Sequence, residues 1–181
     1  GYTGDVWAGA AEDAVSFLEV VKAMYRKDDR TKVLAWGISR GATVALIIGA
    51  LTDKLDYSIS ISTHTNFLNR DVFQKERVGS DFQTVFFTPQ TTPEGIRRRL
   101  ITSSPYYFAE RLSDFEIHQG TEDVLTTVYH SKILENRMHE LGRNDSTVRF
   151  YFYEGKGHGY DDDKIVCESL HDFASNQHRH F

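Results

Sequence analysis

The stretch VLAWGISRGATVALIIGAL, residues 33–51, decides the fold. Residues 33–36 are short and continuously apolar, as expected of a parallel strand that is buried on both faces. A glycine-rich turn follows at once, and residues 42–51 are apolar nearly all round, which predicts a buried helix. A strand, a tight turn and a buried helix in this order are typical of an α/β fold.

The turn itself, Gly37-Ile38-Ser39-Arg40-Gly41, has the pattern G-x-S-x-G. A serine in such a turn is held in a strained backbone conformation that presents its hydroxyl outward, and we expect both flanking glycines to avoid collisions between strand and helix. The backbone N–H of Arg40, at the helix N-terminus, is placed to stabilise an oxyanion. The turn therefore predicts a nucleophilic serine. The alternative interpretation is a turn with a purely structural role.

A serine nucleophile needs a base and usually an acid that orients the base. His158 lies in a glycine-rich loop directly after the predicted strand 148–153, and Asp123 follows the predicted strand around 115–117. The order Ser, Asp, His, each after its own strand, is the order of α/β hydrolases. Glu122 is the alternative acid, as are the carboxylates of residues 161–163. Taken singly, Asp123 also fits a helix cap and His158 an ordinary loop histidine.

The remaining chain alternates helices with strands and predicts a mostly parallel sheet flanked by helices. Helices are expected over residues 10–25, 126–141 and 164–173, and a further strand over residues 57–62. In the first helix we expect an inward face made by Ala14, Phe17, Leu18, Val21 and Met24. Residues 63–112, which hold all three prolines and many aromatic side chains, are interpreted as an insertion or lid.

Composition narrows the functional classes. A chain of 181 residues with 40% hydrophobic content predicts one domain over residues 1–181. The net charge of −5 and the scattered basic residues argue against nucleic acid, and we expect no membrane span. Cys167 is the single cysteine, so an intrachain disulfide is excluded. The histidines at 64, 118 and 130 lack metal-ligand spacing, and we expect neither a metal nor a cofactor.

Three motifs together resemble the catalytic domain of the prolyl oligopeptidase family, within the α/β hydrolases: residues 37–41, 120–123 and 155–159, with Ser104-Pro105 before the third strand. The resemblance covers most of the chain and corresponds to the C-terminal part of that domain. It implies a serine hydrolase with Ser39, His158 and Asp123, acting on a short peptide or an acylated amine. A carboxylesterase acting on small esters is the alternative, and a noncatalytic domain is a further one.

The chain also departs from the family pattern. Gln119 stands where relatives often have histidine, a difference that we expect to leave the triad unaffected. The second oxyanion donor and the first strands of the family's sheet have no counterpart here. We therefore expect an open edge at residues 33–36, covered by an upstream segment of a longer polypeptide or by another copy of the chain. Nothing assigns a compartment; we expect a soluble protein, with the cytoplasm slightly preferred.

Overall fold

The computed structural model describes residues 6–25, 32–69, 72, 83, 85–88, 91–143 and 146–176. Its elements, in chain order, are α1 (Ala8–Tyr25), β1 (Leu34–Ile38), α2 (Arg40–Leu51), β2 (Tyr57–Ile61), α3 (Pro93–Thr102), a 3-10 helix (Pro105–Arg111), β3 (Asp114–Gly120), α4 (Val128–Glu140), β4 (Val148–Tyr153) and α5 (Asp162–Asn176). No helix in these described ranges is long and apolar enough to cross a membrane.

Within the described ranges, the strands form a four-stranded sheet in the order β1-β2-β3-β4, and each neighbouring pair is parallel. The predicted α/β fold with a parallel sheet flanked by helices is therefore confirmed. Because parallel strands end at the same edge, the loops that follow β1, β3 and β4 are brought together there. These are the loops that carry Ser39, Asp123 and His158.

Helices cover both faces of the sheet. On one face α2 and α4 enclose a core in which Leu46 from α2 and Leu134 from α4 pack with Phe115 and Ile117 from β3. On the other face Ile165 of α5 packs against Ile61 of β2. Apolar burial on both faces stabilises the sheet and holds its carboxyl edge in place.

Helix α1 packs on α2, but the expected inward face is wrong at two positions. Phe17 and Met24 are 68% and 65% exposed, whereas Ala11 is fully buried. Helix α1 carries apolar residues on more than half of its circumference, so two overlapping stripes both fit the helical period. The stripe with the small side chain of Ala11 faces inward, because it lets the two helices approach closely.

The first strand also differs from its prediction. Among the strands that the structure describes, β1 lies at the end of the order, and Trp36 is 50% exposed. The continuous apolar run over residues 33–36 therefore does not mark a strand buried on both faces. An edge strand has a neighbour on one side only, which leaves room for solvent at the side chain of Trp36.

The 63–112 segment is partly interior. Phe86 is buried, with its ring stacked on that of Trp7 at 5.0 Å between centroids and tilted against that of Phe67 at 5.2 Å. The side chain of Phe86 therefore belongs to a hydrophobic core. Phe87 and Tyr107 are exposed aromatic residues of the same segment, and Phe82 lies outside the described residues.

Candidate active site

Ser39 occupies the turn between β1 and α2 in an unusual backbone conformation, with φ 56° and ψ −119°. Its N–H donates to the carbonyl of Ile61 at 2.8 Å, which ties the turn to the end of β2. A Cβ added to Gly37 would lie 2.3 Å from the backbone of Gly41, so glycine is required there. Gly41 is different: an added Cβ meets nothing within 4 Å. The expectation that both glycines avoid a collision holds for Gly37 only.

Asp123 is buried just beyond β3, and its carboxylate accepts five hydrogen bonds. Oδ1 accepts from the N–H groups of Leu125 at 2.9 Å and Thr126 at 2.8 Å. Oδ2 accepts from the Thr126 hydroxyl at 2.6 Å and the Gln119 amide at 3.2 Å. Nδ1 of His158 lies 2.9 Å from the same Oδ2. Gln119 is thus in direct contact with Asp123, and the expectation that its replacement of histidine leaves the triad unaffected stays a prediction.

These contacts determine the charge of Asp123. Burial, the largest single influence, raises the pKa of the carboxyl group, but the hydrogen bonds from His158, Thr126 and Leu125 outweigh it and lower the pKa well below its usual range. Asp123 is therefore an anion at neutral pH and can only accept hydrogen bonds. An anionic Oδ2 at 2.9 Å favours the tautomer of His158 in which Nδ1 carries the proton and Nε2 carries the lone pair.

The His158 loop is joined to the Asp123 loop by backbone contacts. The Thr121 N–H donates to the carbonyl of Tyr153 at 3.0 Å, and the Glu122 N–H donates to the carbonyl of Lys156 at 2.9 Å. The approach is close, because a Cβ added to Gly120 would lie 2.2 Å from the Lys156 carbonyl oxygen and 2.5 Å from that of Gly157. Glycine at position 120 allows the two loops to meet.

Ser62 connects the His158 loop to the Ser39 turn. It is buried, has φ 55°, and its hydroxyl accepts from the Gly159 N–H at 3.0 Å. Gly159 lies against the side chain of Ile38, the residue before Ser39, because an added Cβ would be 3.7 Å from Cγ2. His158 is thereby brought beside the serine turn, although within the described chain no hydrogen bond joins the Ser39 side chain to His158.

The alternative acids, and the interpretation of Asp123 as a helix cap, agree less well with the structure. Glu122 is exposed. Asp123 is not the N-cap of α4, because that position belongs to Thr127. Asp161 and Asp163 lie at the start of α5, after the His158 loop, and within the described ranges no hydrogen bond or ion pair joins them to His158.

Sequence reasoning missed three polar contacts of the site, those of Gln119, Thr126 and Ser62. Thr126 carried a usable signal, because an aspartate commonly accepts hydrogen bonds from backbone groups two and three residues later. Gln119 and Ser62 carried no signal in the sequence, since an amide at a strand end and a serine after a strand are ordinary features.

His118 and His130 are occupied by structural contacts. Nε2 of His118 lies 3.2 Å from Glu116, and Nδ1 lies 2.7 Å from the hydroxyl of Tyr153. Nδ1 of His130 accepts from the Thr65 N–H at 3.2 Å. In the part of the chain that the structure describes, no group of three or more histidine, cysteine, aspartate or glutamate side chains is arranged to hold a metal ion.

Comparison with solved structures gives the fold its class. No protein-family model and no curated sequence matches the chain. The Pyrococcus horikoshii acylaminoacyl peptidase superposes with a TM-score of 0.71 at 15% identity, covering 90% of this chain and 26% of that one. Dipeptidyl peptidase 4 of Porphyromonas gingivalis gives 0.69 at 14% identity, covering 90% and 22%. A truncated carbohydrate esterase from gut microbiota gives 0.67 at 15% identity, covering 92% and 66%.

The chain therefore has an α/β hydrolase fold. The two peptidases are α/β hydrolases of the prolyl oligopeptidase family, so the resemblance found in the sequence is confirmed at the level of the fold. The match is to the catalytic part of these proteins, and the chain spans about a quarter of their length.

Proposed function

We propose that this chain is a serine hydrolase in which Ser39 is the nucleophile, His158 the general base and Asp123 the residue that orients the imidazole. The observation that carries the proposal is the hydrogen bond of 2.9 Å between His158 and the buried Asp123, at the edge of the sheet where the strained Ser39 turn lies. Three residue types with complementary roles at one edge are the requirement for acyl transfer by a serine enzyme.

The proposed reaction has two steps. The Ser39 Oγ attacks the carbonyl carbon while Nε2 of His158 takes its proton, and the same proton is then given to the leaving amine or alcohol. This leaves an acyl ester on Ser39. A water molecule then attacks the ester carbonyl while Nε2 of His158 takes one of its protons, and His158 gives that proton to the Ser39 Oγ as the Oγ–acyl bond breaks and the acid is released. A hydrogen bond between serine and histidine is often long in the absence of substrate and tightens when substrate binds.

The Arg40 backbone N–H is proposed as one donor to the oxyanion. It is the first N–H of α2, and the first N–H groups of a helix have no partner within the helix. The tetrahedral intermediate formed at Ser39 places its negative oxygen near this N–H. The second donor is proposed to come from polypeptide next to the open edge of β1.

We propose peptides or acylated amines as substrates, and small carboxylic esters as the second candidate. The acylaminoacyl peptidase and the dipeptidyl peptidase among the structural neighbours favour the first class. The carbohydrate esterase, of which the chain covers 66%, favours the second. The residues of the proposed triad act on either bond, so substrate specificity depends on the surrounding pocket.

The edge strand is proposed to pair with a further strand, from additional polypeptide or from a second copy. β1 has a strand partner on one side in the described sheet, and its Trp36 is half exposed. Unpaired edges of this kind recruit other strands. Hydrogen exchange of β1 and gel filtration test this: slow exchange of β1 in a monodisperse monomer contradicts it.

Labelling with a fluorophosphonate, read by intact mass, tests the proposed chemistry without assuming a substrate. We expect one adduct on the folded chain, which is lost in Ser39→Ala and retained in Ser16→Ala, a matched change at an exposed serine of α1. A panel of acyl-amino acid anilides and small aryl esters then separates the two substrate classes. The absence of any adduct on the folded chain contradicts the proposal and favours a noncatalytic domain.

A further inference from the structure

The Asp123–His158 pair is contacted by a hydroxyl group that the proposed mechanism does not use. Thr126 is fully buried, and its Oγ1 lies 2.6 Å from Oδ2 of Asp123 and 3.3 Å from Nδ1 of His158. The three polar atoms therefore form a triangle, with Oδ2 and Nδ1 2.9 Å apart.

The direction of each hydrogen bond in this triangle follows from its members. Asp123 is an anion and accepts only, so the single proton of the Thr126 hydroxyl is donated to Oδ2. With its proton directed there, Oγ1 faces Nδ1 with a lone pair. The Nδ1–H of His158 thus points between two acceptors, Oδ2 and Oγ1, and this favours the tautomer in which Nδ1 carries the proton.

Thr126 is held in this position from two sides. Its N–H donates to Oδ1 of Asp123 at 2.8 Å, and its carbonyl accepts from the Gln119 amide at 2.9 Å. The same amide also donates to Oδ2, and the Gln119 carbonyl oxygen accepts from Ser131 of α4 at 3.2 Å. These contacts fix the backbone of Thr126, and the hydrogen bond of 2.6 Å to Oδ2 holds its hydroxyl against the carboxylate.

We propose that Thr126 is a positioning residue, whose hydroxyl fixes the Asp123 carboxylate and holds His158 as the Nδ1–H tautomer with Nε2 directed toward Ser39. The inference rests on the proposed function for its role in catalysis, but its effect on the imidazole is measurable without catalysis. A valine at this position keeps the shape of threonine and removes the hydroxyl, whereas a serine keeps the hydroxyl.

The first measurement is the tautomer of His158, read from its ring nitrogen shifts by NMR in mildly alkaline solution, where an ordinary imidazole is neutral. We expect the wild-type chain and Thr126→Ser to show the Nδ1–H form, and Thr126→Val to show a loss of that form and faster exchange of the Nδ1 proton. Thr102→Val is the control, because the Thr102 hydroxyl is exposed and bonds to carbonyls of its own helix. If Thr126→Val fails to fold, Thr126→Ala replaces it.

The second measurement is the rate of fluorophosphonate labelling. Loss of a hydrogen bond to a charged group predicts labelling about tenfold to a hundredfold slower in Thr126→Val, with recovery in Thr126→Ser. Labelling and a tautomer that both match the wild type in a folded Thr126→Val overturn the inference. If the wild-type chain does not label, the proposed function fails, and the tautomer alone decides: a change in Thr126→Val supports the positioning role, and no change overturns it.

Discussion

Gly120→Ala is expected to separate the two loops that carry Asp123 and His158. The added Cβ would lie 2.2 Å from the Lys156 carbonyl oxygen and 2.5 Å from that of Gly157, where an ordinary contact needs 3.4 Å or more. Both neighbours are backbone atoms and cannot rotate away. The His158 loop must therefore shift by about 1 Å, and a misplacement of this size costs on the order of 10²-fold in rate.

The assay is the second-order rate of fluorophosphonate labelling at neutral pH, measured beside thermal unfolding. Overpacking is also expected to lower the free energy of unfolding by about 1 to 3 kcal/mol, which leaves a folded population to test. Gly157→Ala is the matched control in the same pair of loops, because a Cβ added there meets nothing within 4 Å. A folded Gly120→Ala chain that labels as fast as Gly157→Ala refutes the idea that close approach of these loops sets the position of His158.

Three further outcomes are expected. Asp123→Asn removes the acceptor that orients His158, so labelling should fall on the order of 10³- to 10⁴-fold, and a loss below tenfold contradicts the assigned role. Burial raises the pKa of the Glu116 carboxyl group, but hydrogen bonds from His118, Ser169 and Tyr57 outweigh burial and lower the pKa overall. Ionised Glu116 therefore stabilises the folded state above the unfolded pKa of about 4.3, and this stabilisation is lost as the pH falls through the lower pKa of the folded state. In urea unfolding, the advantage of the wild type over Glu116→Gln should shrink between pH 7 and pH 3; a constant difference contradicts this. Leu134→Ala should lower the free energy of unfolding by about 2 to 5 kcal/mol, because Leu134 is fully buried, and Phe17→Ala by less than about 0.5 kcal/mol, because Phe17 is exposed. Similar losses for the two variants would indicate that Phe17 faces inward, as the sequence predicted.

The elements of the fold were predictable because their signals are local. Helix α2 follows from a continuous apolar run, and β4 was expected at the residues where it is found. Exposure was harder to predict, because it depends on what packs against each element. Trp36 belongs to an apolar run but lies in an edge strand, and Phe17 fits the helical period but lies on the outer stripe of α1.

The meeting of the loops that carry Ser39, Asp123 and His158 is predictable from the sequence, because each loop follows a strand and parallel strands end together. The contacts around them are not predictable in this way, since they join distant parts of the chain. Ser62 and Gly159 are 97 residues apart, and Thr126 and His158 are 32 apart. The contact of Thr126 with the nearby Asp123 carried a local signal, but only the folded arrangement joins the hydroxyl of Thr126 to His158 and that of Ser62 to Gly159.

The way the three loops are joined implies an uneven rigidity in the site. The loops of Asp123 and His158 are connected to each other by backbone hydrogen bonds and by the close approach at Gly120. The serine turn is connected to them indirectly, since Ser39 bonds to Ile61 and the neighbouring Ser62 bonds to Gly159. The loops of Asp123 and His158 are therefore joined directly to each other, and both are joined to the Ser39 turn through the end of β2. In the proposed mechanism, movement at the end of β2, rather than within the Asp123–His158 pair, is expected to bring Nε2 of His158 into reach of the Ser39 hydroxyl when substrate binds.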